Sequence, residues 1–291
     1  MTEQVWTVVA ALDWCTGYLA DRGDEHPRRS AEWLLSAATD LSRVELYAFH
    51  DRPLTPEERT ALRDAVRRRG AGEPLQYVTG EVAFRHLVVK VRPGVLIPRP
   101  ETEVLVGEAL TELAAVESPL VADPCTGSGV VALSLAQENP HAHVWASDLS
   151  DVAVAVAGEN AERLGLADRV VVLGGDLLAP LPPELSGRLD AVVSNPPYIP
   201  SAALPSLPPE VIGFEPALAL DGGPDGLDVF RRLARQSTEW LNSSGFLAVE
   251  LDESRVRTAG DEALEWYEEV RVVRDLADRD RVLIAKRPRR R

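Results

Sequence analysis

Residues 191–198 bring an apolar run, Ala191-Val192-Val193-Ser194, directly into Asn195-Pro196-Pro197-Tyr198. Two prolines fix their φ angles and remove two N–H donors, so the carbonyls of Pro196 and its neighbours stay free and rigidly aimed. The Asn195 carboxamide oxygen beside such a carbonyl makes a pair of acceptors for the two hydrogens of a planar NH2 group, and Tyr198 can stack on that flat group. This arrangement suits alkylation of an amide or exocyclic amine, in which both N–H bonds are held while the nitrogen faces a methyl donor. The plain alternative is a proline-rich turn leaving a strand.

A second cluster follows Leu120-Val121-Ala122 and reads Asp123-Pro124-Cys125-Thr126-Gly127-Ser128-Gly129. Its glycines let the backbone approach a ligand closely and set the next helix N-terminus against it. Asp148, about twenty residues on, is placed to accept hydrogen bonds from both hydroxyls of a ribose. Gly127, Gly129 and Ala132 also satisfy the loose dinucleotide pattern, so the turn alone would serve NAD equally well. Two acids separate the readings. Asp123 precedes the glycines, where it can engage the amino group of an amino-acid-bearing nucleoside but would repel a pyrophosphate. Asp176 follows the third strand, where an adenine edge would lie, with Leu177 offering an apolar face; a helix cap or turn is the other reading of Asp176.

These residues need elements to position them. From Glu101 onward, helical and strand patterns alternate: a helix over Glu101 to Val116, a strand at Leu120 to Ala122, a helix from Val130 to about Glu138, a strand at His143 to Ser147 and a helix at Val152 to Leu164. Further strands read at Arg169 to Leu173, Leu189 to Ser194, Gly245 to Leu251, Glu269 to Arg274 and Val282 to Lys286. Short apolar strands separated by helices predict parallel strands buried on both faces, an open doubly wound α/β sheet. Only a short connection around Asp278-Arg279-Asp280 separates the last two strands, so one should run antiparallel to the other. Ligands in such sheets bind beyond the carboxyl ends of the strands, where the clusters above fall. His141 and His143 start the second strand, at the opposite end, and read as surface positions.

Residues 1 to about 72 read as helices only: Val5, Val8, Val9, Leu12, Trp14 and Leu19 recur at mostly helical spacing, and Ala31, Trp33, Leu34, Leu35 and Ala38 follow Pro27. Thr55-Pro56-Glu57-Glu58 is a capping-box start for a helix running to Arg69, ended by Gly70 and Gly72. Val82 and Phe84, then Leu87, Val89 and Val91, change the period to nearly two around Arg85-His86 and predict a β-hairpin bridging two domains.

The 291 residues hold 31 Lys plus Arg against 46 Asp plus Glu, a net charge of −15. Such acidity weighs against a protein whose main work is tracking nucleic-acid backbones. Five of the basic residues fall in Lys286 to Arg291, read as a solvated tail, with adhesion to RNA or an acidic surface as the lesser reading. Two cysteines, Cys15 and Cys125, make neither a disulfide framework nor a metal spacing, and no metal site is expected. Met1 to Val9 lacks a basic stretch followed by an apolar run, and no uncharged apolar segment approaches a membrane span. A cytoplasmic monomer that enters no membrane and holds no nucleic acid stably is expected.

Asn195 to Tyr198, with Asp123 to Gly129, resembles the class I S-adenosylmethionine-dependent methyltransferases. Leu96-Ile97-Pro98-Arg99-Pro100-Glu101-Thr102-Glu103, preceded by Gly72 to Gly80, is more narrowly similar to the PrmC or HemK family, whose members methylate the side-chain nitrogen of a glutamine in peptide chain release factors. The resemblance covers nearly the whole chain. It implies a Rossmann-like, seven-stranded, mostly parallel sheet with a small all-α N-terminal domain and a β-hairpin linker, divided as 1–72 for substrate recognition, 73–100 for the hairpin, 101–286 for the methyltransferase and 287–291 for the basic tail. Cys125, Thr126, Gly127, Ser128, Gly129, Asp148 and Leu177 would line the S-adenosylmethionine site, joined by Asp123 and Asp176. Asn195 would touch both cofactor and substrate, and Asn195, Pro196, Pro197 and Tyr198 would hold the glutamine amide. The family turn often has Gly where this chain has Cys125, which should be tolerated as a small residue. After Glu250 the chain has Asp252-Glu253-Ser254 where relatives often have a Gly-containing turn. A release factor is the expected partner. A nucleic-acid amino group, a ribosomal-protein glutamine and a non-catalytic scaffold binding translation factors are the competing readings.

Overall fold

A computed structural model describes residues 5–289; Met1 to Gln4 and the end of the basic tail, Arg290 and Arg291, lie outside the described residues. The chain divides into two compact units, one ending at Glu81 and the other starting at Val82.

The first unit is helical: α1 Val8–Ala20, α2 Pro27–Thr39, α3 Arg43–Ala48, α4 Pro56–Gly70 and α5 Leu75–Thr79. Thr55 and Glu58 form the expected capping box: the Thr55 hydroxyl accepts from the Glu58 N–H at 3.2 Å, and the Glu58 carboxylate accepts from the Thr55 N–H at 2.8 Å. Leu12, Leu19, Leu34, Leu35, Leu62 and Val66 make the core, with Leu75 and Val78 of α5 packed against it. Those two side chains carry the compact unit past residue 72 to Glu81. Trp14 and Trp33, which share the helical periodicity, stay largely exposed.

In the second unit β1 Glu81–Phe84 and β2 Leu87–Lys90 form the hairpin. It is built into this unit: Phe84, Leu87 and Val89 enter its core, and Asn160 brackets Lys90, accepting from its N–H at 2.8 Å and donating to its carbonyl at 3.0 Å. Then follow α6 Thr102–Leu113, β3 Leu120–Pro124, α7 Val130–Glu138, β4 His143–Asp148, α8 Asp151–Arg163, β5 Val170–Gly174, β6 Leu189–Ser194, α9 Pro209–Phe214, α10 Asp228–Trp240, β7 Leu241–Glu250, α11 Val256–Ala263, β8 Tyr267–Arg274 and β9 Asp280–Pro288.

The seven strands from β3 onward lie in the order β5-β4-β3-β6-β7-β9-β8. All pairings among β3 to β7 are parallel, and β9 runs antiparallel to both β7 and β8. Two apolar clusters cover the opposite faces, one including Leu105, Leu133 and Val193, the other including Val192, Phe230 and Leu247. Successive residues of β6 thus enter different cores, as a strand buried on both faces requires. β9 continues past Lys286 to Pro288, where Arg287 pairs with Glu269 at 2.8 Å and the Arg289 N–H donates to the Trp266 carbonyl. Among the described residues no helix is long and apolar enough to cross a membrane.

Candidate active site

Strand order reverses between β3 and β6, and their carboxyl ends open the crevice at which such sheets bind ligands. A cleft of about 220 Å³ lies there. Its walls include Cys125 to Ser128, Asp148, Asp176, Leu177, Asn195 and Pro197. The fold brings these residues, singled out from the sequence, into one cleft.

Hydrogen bonds between strand exits fix the glycine turn. Thr126 N–H donates to the Ser147 carbonyl at 3.0 Å, Ser147 Oγ to the Leu177 carbonyl at 2.5 Å, and Ser194 Oγ to the Pro124 carbonyl at 2.6 Å. Gly129, at φ 87°, ends the turn where an added Cβ would lie 3.2 Å from the Ala157 Cβ and 3.1 Å from Leu133. It packs behind the turn and does not line the cleft. Cys125 also adopts a left-handed backbone, φ 61°, so size is not the condition the Gly-to-Cys change must meet. Burial pushes its thiol pKa up, leaving an inert small side chain.

Asp148 accepts from the Gly127 N–H and the Ser150 N–H, both at 2.9 Å, and keeps further lone pairs for a ligand. Burial raises its pKa against those bonds. Asp176 reaches the cleft but pairs with Arg232, an α10 residue that also lines the wall; no capping bond from its side chain is formed.

Asp123 corrects the expectation. Its carboxylate is fully buried and absent from the cleft wall; Oδ2 accepts from Thr126 Oγ1 at 2.6 Å and the Ala132 N–H at 3.1 Å, while Oδ1 has no partner among the described residues. The glycine turn folds back over the carboxylate, so the acid shapes the turn from beneath. Burial pushes its pKa up to about 7.

Within Asn195 to Tyr198, Asn195 and Pro197 face the cleft, whereas Pro196 is buried and Tyr198 is turned away. The Tyr198 hydroxyl donates to Glu250 Oε1 at 3.3 Å, and Gly222 and Gly226 pack so close to its backbone that a Cβ on either would clash with it. Asn195 Nδ2 donates to Thr102 Oγ1 at 3.1 Å, leaving the carboxamide oxygen without a protein partner among the described residues.

Sequence reasoning assigned no role to several wall residues. Thr102, only 2% exposed, sits at the first turn of α6. Pro216, Leu218, Ala219 and Asp221 come from the segment between β6 and α10, which is tied down where buried Glu215 accepts from Arg99 Nη2 at 2.5 Å and the Ile97 N–H at 3.3 Å. Glu250, fully buried at the end of β7, stands behind Tyr198; an acid closing the apolar run Phe246 to Val249 was the available signal. Burial pushes its pKa up to about 7 against the pull of Thr102, Arg281 and Tyr198. Asp252, where a glycine turn was missing, accepts from the Ser254 N–H at 3.0 Å. His141 and His143 are exposed at the far end of β4.

Fold and site together define a class I methyltransferase, and two family models match accordingly: the PrmC N-terminal domain over residues 10–80 and the methyltransferase small domain over 102–205. Two solved structures share the fold, a methyltransferase from Pyrococcus furiosus (TM-score 0.50, 18% identity, 70% of this chain and 90% of that one) and a T. thermophilus 16S rRNA methyltransferase in complex with AdoMet and guanosine (TM-score 0.51, 17% identity, 71% and 49%). The chain belongs to the release factor glutamine methyltransferase family: it is 48% identical over 260 residues to the Geobacter sulfurreducens member (89% of each chain) and 47% identical over 283 residues to the Moorella thermoacetica member (97% and 99%).

Proposed function

We propose that this chain transfers a methyl group from S-adenosylmethionine to the side-chain amide nitrogen, N5, of a glutamine in a peptide chain release factor. The observation that carries the reading is the Asn195 carboxamide, held at the switch-point cleft with its acceptor oxygen uncommitted, in a chain whose relatives bear that activity in their names. The cleft fits the cofactor. The Asp148 carboxylate can take ribose hydroxyls, Leu177 gives an apolar face for a base, and the Cys125 to Ser128 backbone permits close approach.

When bound, S-adenosylmethionine supplies an electrophilic methyl on a positively charged sulfur. The residues of this chain must overcome the poor nucleophilicity of an amide, whose nitrogen lone pair is delocalised into the carbonyl. Asn195 Oδ1 accepts one N–H and a main-chain carbonyl of the Asn195 to Tyr198 segment the other, which fixes the nitrogen and favours positive charge developing there. The spare N–H proton leaves to water after transfer. The helical unit grips the protein substrate; α3 and its end leave Val44, Tyr47 and Phe49 exposed, an apolar surface for that contact. The reaction belongs to the cytoplasm, where release factors work, and the chain acts as a monomer.

Incubation of the purified chain with a release factor and S-adenosylmethionine is expected to add one methyl to a single glutamine, located by peptide mass mapping. Asn195→Ala should lower transfer by roughly 100-fold or more with the fold intact. A folded, cofactor-binding wild type that leaves the release factor unmodified refutes the substrate, and a fully active Asn195→Ala refutes the role of Asn195.

A further inference from the structure

Between β6 and α10 the chain makes an excursion that supplies part of the cleft wall and almost none of the core. Of residues 201–219 only Glu215 is buried. The apolar side chains of that stretch stay outside the core, and Ile212 and Leu218 stand 49% and 53% exposed. A segment that buries so little apolar surface gains little from collapse onto the rest of the unit, so its place is left to polar contacts.

Glu215 makes such contacts with both oxygens. Oε1 accepts from Arg99 Nη2 at 2.5 Å and Oε2 from the Ile97 N–H at 3.3 Å, and the side chain is only 2% exposed. Leu96 and Pro98, on either side of Ile97, line the cleft, as do Pro216 and Leu218 just beyond Glu215. The carboxylate is therefore a peg that joins two walls of one cleft. It also reaches Asn195 from two directions. On one side the Arg99 carbonyl accepts from the Thr102 N–H at 3.1 Å, and Thr102 Oγ1 accepts from Asn195 Nδ2 at 3.1 Å. On the other, the Ile199 N–H donates to the Leu220 carbonyl and the Gly222 N–H to the Ile199 carbonyl, both at 2.9 Å, which ties the excursion to the residue after Tyr198.

We infer that Glu215 and Arg99 are positioning residues, an ionic peg that holds the excursion as the wall against which the protein substrate presents its glutamine. The inference rests on the proposed methyl transfer to a release factor. Neither side chain lines the cleft. The residues assigned to the cofactor, 125–128, Asp148 and Leu177, follow β3, β4 and β5 and lie outside the pegged segment, so the peg acts on the protein substrate. Removing Arg99 would leave a buried carboxylate without its cation, a strongly unfavourable state. Glu215 then moves out to water and takes the segment with it.

The test combines steady-state methylation of the release factor with chymotrypsin digestion of the full chain, S-adenosylmethionine affinity being measured by calorimetry. Arg99→Ala is expected to lower kcat/KM for the release factor roughly 10- to 100-fold and to speed cleavage after Phe214 and Leu218 roughly 10-fold, while Kd for S-adenosylmethionine stays within about threefold. Glu215→Gln keeps one acceptor oxygen and loses the charge, so it should lower kcat/KM roughly 3- to 10-fold. Added to Arg99→Ala, the same change removes the unpaired charge, and the double variant should recover at least about threefold in kcat/KM and be cut more slowly than Arg99→Ala alone. Wild-type kcat/KM or wild-type cleavage in Arg99→Ala, a loss that falls equally on cofactor affinity, or a double variant no better than Arg99→Ala would each overturn the peg. Should Arg99→Ala melt below the assay temperature, unchanged kcat/KM in Glu215→Gln overturns it instead. An inactive wild type would sink the functional reading and leave the digestion to judge the peg, whereas an active wild type with unaffected variants sinks the peg alone.

Discussion

At Cys125 the backbone takes φ 61° in the turn that borders the cleft, a conformation that costs an L-residue about 1–2 kcal/mol. Replacement by glycine removes that strain, while replacement by alanine keeps it. Against the gain, glycine loses about 0.5–1 kcal/mol in chain entropy relative to alanine. It also loses burial of one half-exposed methyl, about 0.4 kcal/mol at half of the usual value per buried carbon. The balance puts Cys125→Gly between about 0.4 kcal/mol less stable and about 1.1 kcal/mol more stable than Cys125→Ala, whereas in an unstrained strand or helix glycine is worse by about 1 kcal/mol. Cys125→Val, β-branched at positive φ, should be the least stable of the three. Urea unfolding followed by circular dichroism measures this order, and the apparent Kd for S-adenosylmethionine should stay within a few-fold for the glycine variant. A glycine variant about 1 kcal/mol less stable than the alanine one would show that the turn is not strained and that side-chain size governs the site after all.

Other positions give equally definite outcomes. Glu250 keeps its proton up to about 7 when folded against an ordinary 4.5, so its contribution to stability is complete below about pH 4.5 and is lost as pH rises through 7. Glu250→Gln should therefore gain on wild type by about 1.4 kcal/mol per pH unit over that window, about 3 kcal/mol in all, and level off above it; urea melts showing a pH-independent difference would contradict the burial argument. Gly226→Ala places a Cβ 2.4 Å from the Tyr198 carbonyl oxygen at φ 82° and should cost at least about 2 kcal/mol, while Gly158→Ala, mid-helix in α8 with nothing within 4 Å, should stabilise by up to about 1 kcal/mol; thermal melts of the pair decide. Asp148→Ala should weaken S-adenosylmethionine binding roughly 10- to 100-fold by calorimetry, with Asp148→Asn weakened less because it still accepts from Gly127; an unchanged Kd would remove Asp148 from the cofactor site.

Much of the site was legible because its parts are local. A glycine turn at one strand exit, an acid at the next and an Asn-Pro-Pro run at a third need only the doubly wound pattern to bring them together. The misreadings concern direction. An acid before glycines looks from sequence as though it faces the ligand, but whether Asp123 points into the cleft or under the turn depends on Thr126 and Ala132 closing over it. Tyr198 is pulled aside by Glu250, and Asp176 is answered by Arg232, partners distant in sequence that no spacing rule connects. Thr102 stood inside a recognised segment without a role, because its partner Asn195 is brought beside it only by the fold.

The acidity of the chain gains a specific meaning in the sheet. Strand β6, which delivers Asn195, pairs with β3 on one side and β7 on the other. Both neighbours place a fully buried acid at their carboxyl ends, Asp123 and Glu250, each with one unpartnered oxygen and each with its pKa pushed up to about 7. Burying carboxyl groups there is unfavourable, and apolar residues would pack the strand ends more stably. Acids serve where loops must be held from below. Asp123 collects Thr126 and the Ala132 N–H into the glycine turn, and Glu250 takes the Tyr198 hydroxyl just beyond Asn195. The two loops that meet at the cleft are thus each held by a buried acid at the end of a strand, the glycine turn by Asp123 of β3 and the Asn195 to Tyr198 segment by Glu250 of β7. Stability given up at the strand ends holds in place the two loops that carry the cleft residues.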